Sequence, residues 1–196
     1  LFGFNLNRNF KRPYFSSSFS NFWKRWHISL SSFLRDYLYI GLGGNRGSNL
    51  STMKNLMVTM LLGGLWHGAS LNFVFWGFLH GGYLAIERVI NPAKSILYSL
   101  QVYVLVNLAW IPFRAQSYED VLIVFKSLFN FSFSLDFPLR LLLIAKAIFV
   151  ILIILFYDYL IEGKKIKNCF TTSLVFFILI ILLGNYKYNN FIYFQF

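Results

Sequence analysis

The sequence predicts an all-α, polytopic integral membrane protein with an amphipathic or re-entrant N-terminal segment. Three observations carry that reading. Of 196 residues, 57% are hydrophobic and only 13% charged, with a mean hydropathy of +0.57. A soluble domain averages about 25% charged residues, so this chain has too little polar surface to face water on every side. Its apolar residues also gather into runs close to the roughly 17 to 25 residues of a spanning helix, and a basic, aromatic-rich stretch with helical periodicity precedes them. The net charge of +11 then points to anionic lipid head groups. No basic face with interleaved aromatics stands apart from the apolar runs to suggest nucleic acid.

Residues 1–52 form the first region. They carry Arg8, Lys11, Arg12, Lys24, Arg25, Arg35 and Arg46 against a single acid, Asp36. From Ser20, read as an N-cap, Phe22, Trp26, Leu30, Phe33 and Tyr37 recur at helical spacing, while Lys24, His27, Ser31 and Arg35 recur on another face. The pattern predicts one amphipathic helix with an aromatic belt and a basic side, lying on or dipping into the membrane. Gly41 to Gly47 then breaks it. After Gly41-x-Gly43, Gly47 falls one position too late for a dinucleotide fingerprint, so the cluster reads as a turn, with Arg46 as an anion contact.

Residues 53–196 form the second, membrane-spanning region. Met53 to Leu65 is apolar with no charge after Lys54, and four long runs follow: Leu71 to Ile86, Ile96 to Phe113, Leu139 to Ile161 and Cys169 to Leu183. The first and last of these four are short and fit a tilted or edge position. Val121 to Phe133 alternates poorly and reads as an interfacial helix. The positive-inside rule places the basic N-terminal region and the Lys164-Lys165-Lys167 hairpin on the cytoplasmic side. Leu1 is not an initiator residue and no signal-peptide layout follows it, so the chain reads as a piece of something longer.

Trp66-His67-Gly68 is the most informative feature. In a helix starting near Thr52, His67 lies roughly 22 Å along, inside a hydrocarbon core about 30 Å thick. An ionisable group at that depth is expensive and by default faces a polar cavity as a functional group; the alternative is a packing histidine bonded to a backbone carbonyl. His27, beside Lys24, Arg25 and two tryptophans, reads either as an interfacial anchor or as a partner facing His67 across a cavity. His80, in Leu79-His80-Gly81-Gly82, reads as a packed or interface histidine; on one unbroken helix it would lie about 20 Å from His67 and about 220° around the axis, a bound that a break at Gly63-Gly64 and Gly68 relaxes. The single cysteine, Cys169, excludes an internal disulfide and a cysteine-based metal cluster. The chain shows no zinc-helix motif, nucleophile elbow or paired carboxylates, so no metal site is expected.

Phe22-Trp23-Lys24-Arg25-Trp26-His27-Ile28-Ser29-Leu30, Leu34-Arg35-Asp36-Tyr37-Leu38-Tyr39-Ile40, Leu42-Gly43-Gly44, Gly63-Gly64-Leu65-Trp66-His67-Gly68-Ala69 and Phe75-Trp76-Gly77 with His80-Gly81 stand in that order. Together they resemble the membrane-bound O-acyltransferase family. The similarity is strongest to the bacterial branch that holds the membrane subunit of alginate O-acetylation and its peptidoglycan and teichoic-acid relatives. The closing Phe191-Ile192-Tyr193-Phe194-Gln195-Phe196 is similar to that branch's end.

The resemblance implies the C-terminal half of a multi-pass helical enzyme of the bacterial inner membrane. It would move an acetyl group from a cytoplasmic thioester, acetyl-CoA, to a hydroxyl for extracytoplasmic polysaccharide O-acetylation. By the same resemblance His67 matches the catalytic histidine and acts as general base, an imidazole of ordinary pKa about 6.5 suiting that task. His27 matches the second functional position and holds the donor carbonyl or oxyanion. Trp66, Lys24, Arg25, Arg35 and Arg46 are the candidate substrate contacts, the basic ones for coenzyme phosphates. No bound cofactor is implied; the partners implied are the acyl donor, membrane lipids, and an extracytoplasmic acetyltransferase or polysaccharide acceptor. The alternatives are D-alanyl transfer to teichoic acid and a non-catalytic membrane conduit.

Overall fold

The computed structural model describes residues 7–129 together with Phe149, Leu152 and Ile153, and every regular element among them is helical. Two short helices, α1 (Phe19–Trp23) and α2 (Ile28–Phe33), lead into a π-helical turn over Leu34–Tyr39. Three long helices follow, α3 (Asn49–Trp66), α4 (Leu71–Ile90) and α5 (Ile96–Arg114), and then α6 (Tyr118–Phe129). The chain divides into two compact units, Leu1–Phe131 and Ser132–Phe196, and all of these helices belong to the first. Apart from Phe149, Leu152 and Ile153, the predicted spans over 139–161 and 169–183 lie outside the described residues, as do the Lys164–Lys167 hairpin and Cys169.

The N-terminal region departs from the single amphipathic helix that its periodicity predicts. Ser18, not Ser20, caps α1, its hydroxyl accepting from Asn21 N at 3.0 Å. The helix then stops after five residues, because His27 adopts a left-handed conformation (φ 42, ψ 58). Asn9 imposes that break from outside the helix. Its carbonyl accepts from Ile28 N at 2.9 Å, and its side-chain oxygen accepts from Ser29 N (3.0 Å) and Ser29 Oγ (2.6 Å). The aromatic stripe splits accordingly. Phe22 is buried and stacks on Trp26, whose indole meets Trp110 of α5 at 4.8 Å, whereas Phe33 and Tyr37 stay exposed. The half read as a membrane belt is thus an inner face packed on protein.

Helices α3 and α4 form a tight hairpin, and two glycines allow it. A Cβ on Gly64 would overlap the Phe73 carbonyl, and one on Gly77 would overlap the Met60 carbonyl. Small residues at such crossings let helix backbones approach closely, as in membrane bundles. Ser48 caps α3 and Ser70 caps α4, each hydroxyl accepting a first-turn N–H. The helix break expected near Gly68 is present: α3 ends at Trp66 and α4 begins at Leu71.

Helix α5 closes the core. Val102 and Val106 pack with Phe19 and Phe22, and Trp23, Trp26, Tyr83, Leu84, Tyr98, Leu105 and Trp110 surround them. Asn72 Nδ2 donates to the Ala115 carbonyl at 3.0 Å, tying the start of α4 to the end of α5. Among the described residues, α5 is the helix long and apolar enough to cross a membrane by length and composition. Leu62 and Leu65 of α3, Phe75 and Phe78 of α4, and Leu97 and Leu100 of α5 all stand exposed.

Candidate active site

His67 sits where α3 ends. Its N–H still bonds back to Gly64 O at 3.0 Å, so the helix frame aims the ring while the chain turns away behind it. Gly68 makes that turn at φ +150, and a Cβ there would meet Phe73 Cε2 at 2.8 Å. Phe73 therefore reaches the imidazole, at a ring distance of 6.1 Å. Trp66 (4.9 Å), Trp76 of α4 (5.4 Å) and Phe113 of α5 (4.9 Å) complete an aromatic cage, each meeting the imidazole edge to face.

His27 reaches the same place from the other side of the sequence. Its left-handed backbone is uncommon outside glycine and costs about 1–2 kcal/mol, which the Asn9 clamp sustains. The strained turn lifts the ring out of the α1–α2 axis. His27 lies within electrostatic range of His67, and the Trp66 indole stands edge-on to both rings, 6.5 Å from His27 and 4.9 Å from His67. In each histidine Nδ1 is buried with no hydrogen-bond partner among the described residues, whereas Nε2 is not so enclosed. Two imidazoles with their outer nitrogens available flank one half-exposed indole. The structure thus joins two histidines forty residues apart in sequence.

The basic residues divide. Lys24 and Arg35 line a cavity of about 690 Å³, together with Arg88 and the acid Glu87, the hydroxyls of Ser20, Ser31, Ser32, Thr52 and Thr59, and apolar walls from Trp23, Leu56, Met60 and Leu84. That size suits a small-molecule or cofactor ligand. Arg25 and Arg46 are not among its lining residues. Arg35 is also held by Asp36 through bonds of 2.7 and 3.0 Å, which keep the Asp36 carboxyl below the usual carboxylate range. An anion in the cavity would compete with that carboxylate for Arg35.

Three positioning features escaped the sequence reading. Asn9 acts through a contact twenty residues distant, which no local pattern reveals. Trp76 and Phe113 complete the cage from α4 and α5, a role that the Phe75-Trp76-Gly77 run does not reveal by itself. Glu87 accepts from Phe19 N (2.6 Å), Ser20 N (3.0 Å) and Tyr98 OH (2.7 Å), fastening α1 to α4 and α5. One signal was available for it, since Glu87 is the sole acid between Asp36 and Glu119.

Residues 1–95, which include His27, His67 and His80, match the model of the MBOAT, membrane-bound O-acyltransferase family. The probable alginate O-acetylase AlgI of Pseudomonas aeruginosa is 48% identical over 136 residues, 67% of this chain and 26% of that protein. The peptidoglycan O-acetyltransferase of Helicobacter pylori is 43% identical over 136 residues, 65% of this chain and 26% of that protein. The teichoic acid D-alanyltransferase of Streptococcus thermophilus is 34% identical over 104 residues, 47% of this chain and 23% of that protein. The chain thus spans about a quarter of the length of the curated relatives it matches.

Proposed function

This chain belongs to the membrane-bound O-acyltransferase family, and from that premise we propose that it carries the reaction site of a multi-pass O-acetyltransferase of the bacterial inner membrane. The observation that supports the reading most is the pairing of His67 and His27 around Trp66, with Nε2 of each ring left available. His67 Nε2 takes the proton of an acceptor hydroxyl as the oxygen attacks the carbonyl carbon of an acetyl thioester. The tetrahedral intermediate then collapses, the C–S bond breaks, and the imidazolium returns its proton to the departing thiolate. His27 donates a hydrogen bond to the carbonyl oxygen as negative charge develops there. Trp66 lies against both rings and forms the wall on which the acyl group rests.

The donor is acetyl-CoA on the cytoplasmic side, with Lys24 and Arg88 of the cavity set against its phosphates and Arg35 engaged after release from Asp36. The acceptor is an extracytoplasmic polysaccharide, or the serine of a secreted acetyltransferase that relays the group onward. Similarity favours acetyl over D-alanyl transfer, at 48% identity over 136 residues against 34% over 104.

The test is reconstitution of the whole protein in vesicles with labelled acetyl-CoA on the cytoplasmic face and a soluble hydroxyl acceptor outside. His67→Ala should abolish acetyl transfer at normal membrane levels. His27→Asn should retain more activity than His67→Asn, because an amide still donates a hydrogen bond but holds no proton. Normal transfer by His67→Ala would overturn the assignment of the base.

A further inference from the structure

For His67 Nε2 to act as a base, the ring's proton must rest on Nδ1, and Nδ1–H needs an acceptor. Among the described residues none lies within hydrogen-bond reach: His67 Nδ1 is buried without a partner. It is not alone. The buried, unpartnered side-chain atoms among the described residues are Nδ1 of His27 and His67, Nε1 of Trp23, Trp76 and Trp110, and both nitrogens of His80. Every one belongs to a single connected set of rings. His67 meets Trp76 at 5.4 Å, Trp76 meets His80 at 4.8 Å, and Trp23 and Trp110 each touch both Trp76 and His80. Leaving one such group unsatisfied costs roughly 1–3 kcal/mol, so a cluster of this kind calls for an explanation.

Donor and acceptor counting supplies one. An indole N–H can only donate, so Trp23, Trp76 and Trp110 cannot receive a proton from His67 Nδ1. A neutral imidazole has one acceptor nitrogen, which leaves His80 and His27 as the acceptors in the set. The His27 side runs past Trp66, which is 52% exposed, and so faces exchanging substrate. His80 is 0% exposed. An orienting bond that must persist through turnover belongs on the enclosed side. A buried water is held by about three polar partners; it can accept from His67 Nδ1–H and the Trp76 indole and donate to His80, which provides that number.

We propose that His80 is the positioning residue of His67: enclosed water beside Trp76 carries the Nδ1–H of His67 to a ring nitrogen of His80, fixing the tautomer that leaves Nε2 free as the base. The inference rests on the proposed role of His67. His80 does not touch the reacting atoms. Its proton stays within the hydrogen-bonded file, and no covalent bond changes there.

The test is magic-angle-spinning NMR of the whole, ¹⁵N-histidine-labelled protein in bilayers, with the His67 signals assigned by their loss in His67→Gln. Wild type should show a protonated Nδ1 and a bare Nε2 at His67. His80→Phe keeps the ring packing but removes both polar atoms, and should leave His67 a mixture of tautomers. Its kcat should fall roughly a hundredfold, the direction set by tautomer loss in other histidine bases, with KM for the acetyl donor changed less than about twofold. His80→Gln keeps an acceptor oxygen and should restore the single tautomer and bring kcat to within about tenfold of wild type. Tyr83→Phe, whose ring also touches His80 but whose hydroxyl is committed to Leu105 O, should change neither reading.

An unaltered His67 tautomer or normal kcat in His80→Phe would overturn the inference, as would a wild-type His67 protonated at Nε2, which needs no variant to fold. If His67→Ala retained transfer, the base assignment would fail separately, whatever the tautomer showed.

Discussion

Removing the Glu87 carboxylate should release α1 from the bundle before the long helices separate. Glu87 projects from the last turns of α4 and accepts from Phe19 N at 2.6 Å, Ser20 N at 3.0 Å and Tyr98 OH at 2.7 Å. The first N–H groups of a helix have no partner within it, so Glu87 caps α1 in trans, where negative charge is also favoured. Hydrogen bonds to a charged group are worth about 1.5–3 kcal/mol each, and a buried partner left unmatched costs about 1–3 kcal/mol. Phe19 is buried and Ser20 exposed, so water can replace the bond to Ser20 but not the one to Phe19. Glu87→Ala should therefore destabilise by about 3–5 kcal/mol, and Glu87→Gln, which keeps one acceptor oxygen, by about 2 kcal/mol. Tyr98→Phe should cost less in the Glu87→Gln background than in wild type, by about 1 kcal/mol, because the two groups share one bond. The measurement is thermal unfolding of the detergent-solubilised whole protein by tryptophan fluorescence, since Trp23 and Trp26 sit beside the clasp. Limited trypsin digestion adds a local probe, because freeing α1 exposes the Lys24-Arg25 bond. A Glu87→Ala protein that melts like wild type and resists trypsin equally would refute the clasp.

Two further outcomes follow from the same geometry. Asn9→Ala removes the side-chain bonds that hold the left-handed turn at His27. It should lower acetyl transfer while the His67 tautomer stays fixed, and normal kcat would show that the turn holds itself. Gly64→Ala drives a methyl group into the Phe73 carbonyl, so it should destabilise the α3–α4 hairpin by about 1–3 kcal/mol and lower the melting temperature. Ala69→Gly, in the exposed connection, should not.

What the sequence disclosed depended on how local the cause was. The end of α3 was legible because Gly63-Gly64, Trp66-His67 and Gly68 act within one turn, and His67 stands just where that helix stops. An unbroken helix would have held His67 about 20 Å from His80, but the break folds α4 back on α3 and brings both rings onto Trp76, at 5.4 and 4.8 Å. The broken N-terminal helix was not legible, since Asn9 bends the chain at His27 by holding Ser29, twenty residues further on, while the periodicity from Phe22 to Tyr37 is intact as a pattern. Phe and Trp serve equally as interfacial anchors and as core, so the aromatic stripe could not reveal that Phe22 and Trp26 face α4 and α5. His80 read correctly as a packed histidine. That packing leaves both its nitrogens without a partner is a fact of three dimensions only.

The placement of Trp23 explains why a five-residue helix matters to a site built elsewhere. Its indole lines the cavity that holds Lys24, Arg35, Arg88 and Glu87, and its ring also meets those of Phe22, Trp76 and His80. Trp76 in turn meets His67. One tryptophan therefore lies between that cavity and the aromatic network behind the base, and α1 holds it there with Glu87 and Ser18 capping its first turn. A clasp that failed would shift Trp23 from both places together. Glu87→Ala should then weaken binding of the acetyl donor and lower kcat, whereas His80→Phe should lower kcat with donor binding preserved. Kinetics of the two variants at varied acetyl-CoA distinguish them. A Glu87→Ala enzyme with normal KM and reduced kcat would mean that Trp23 forms no part of the donor cavity's working wall.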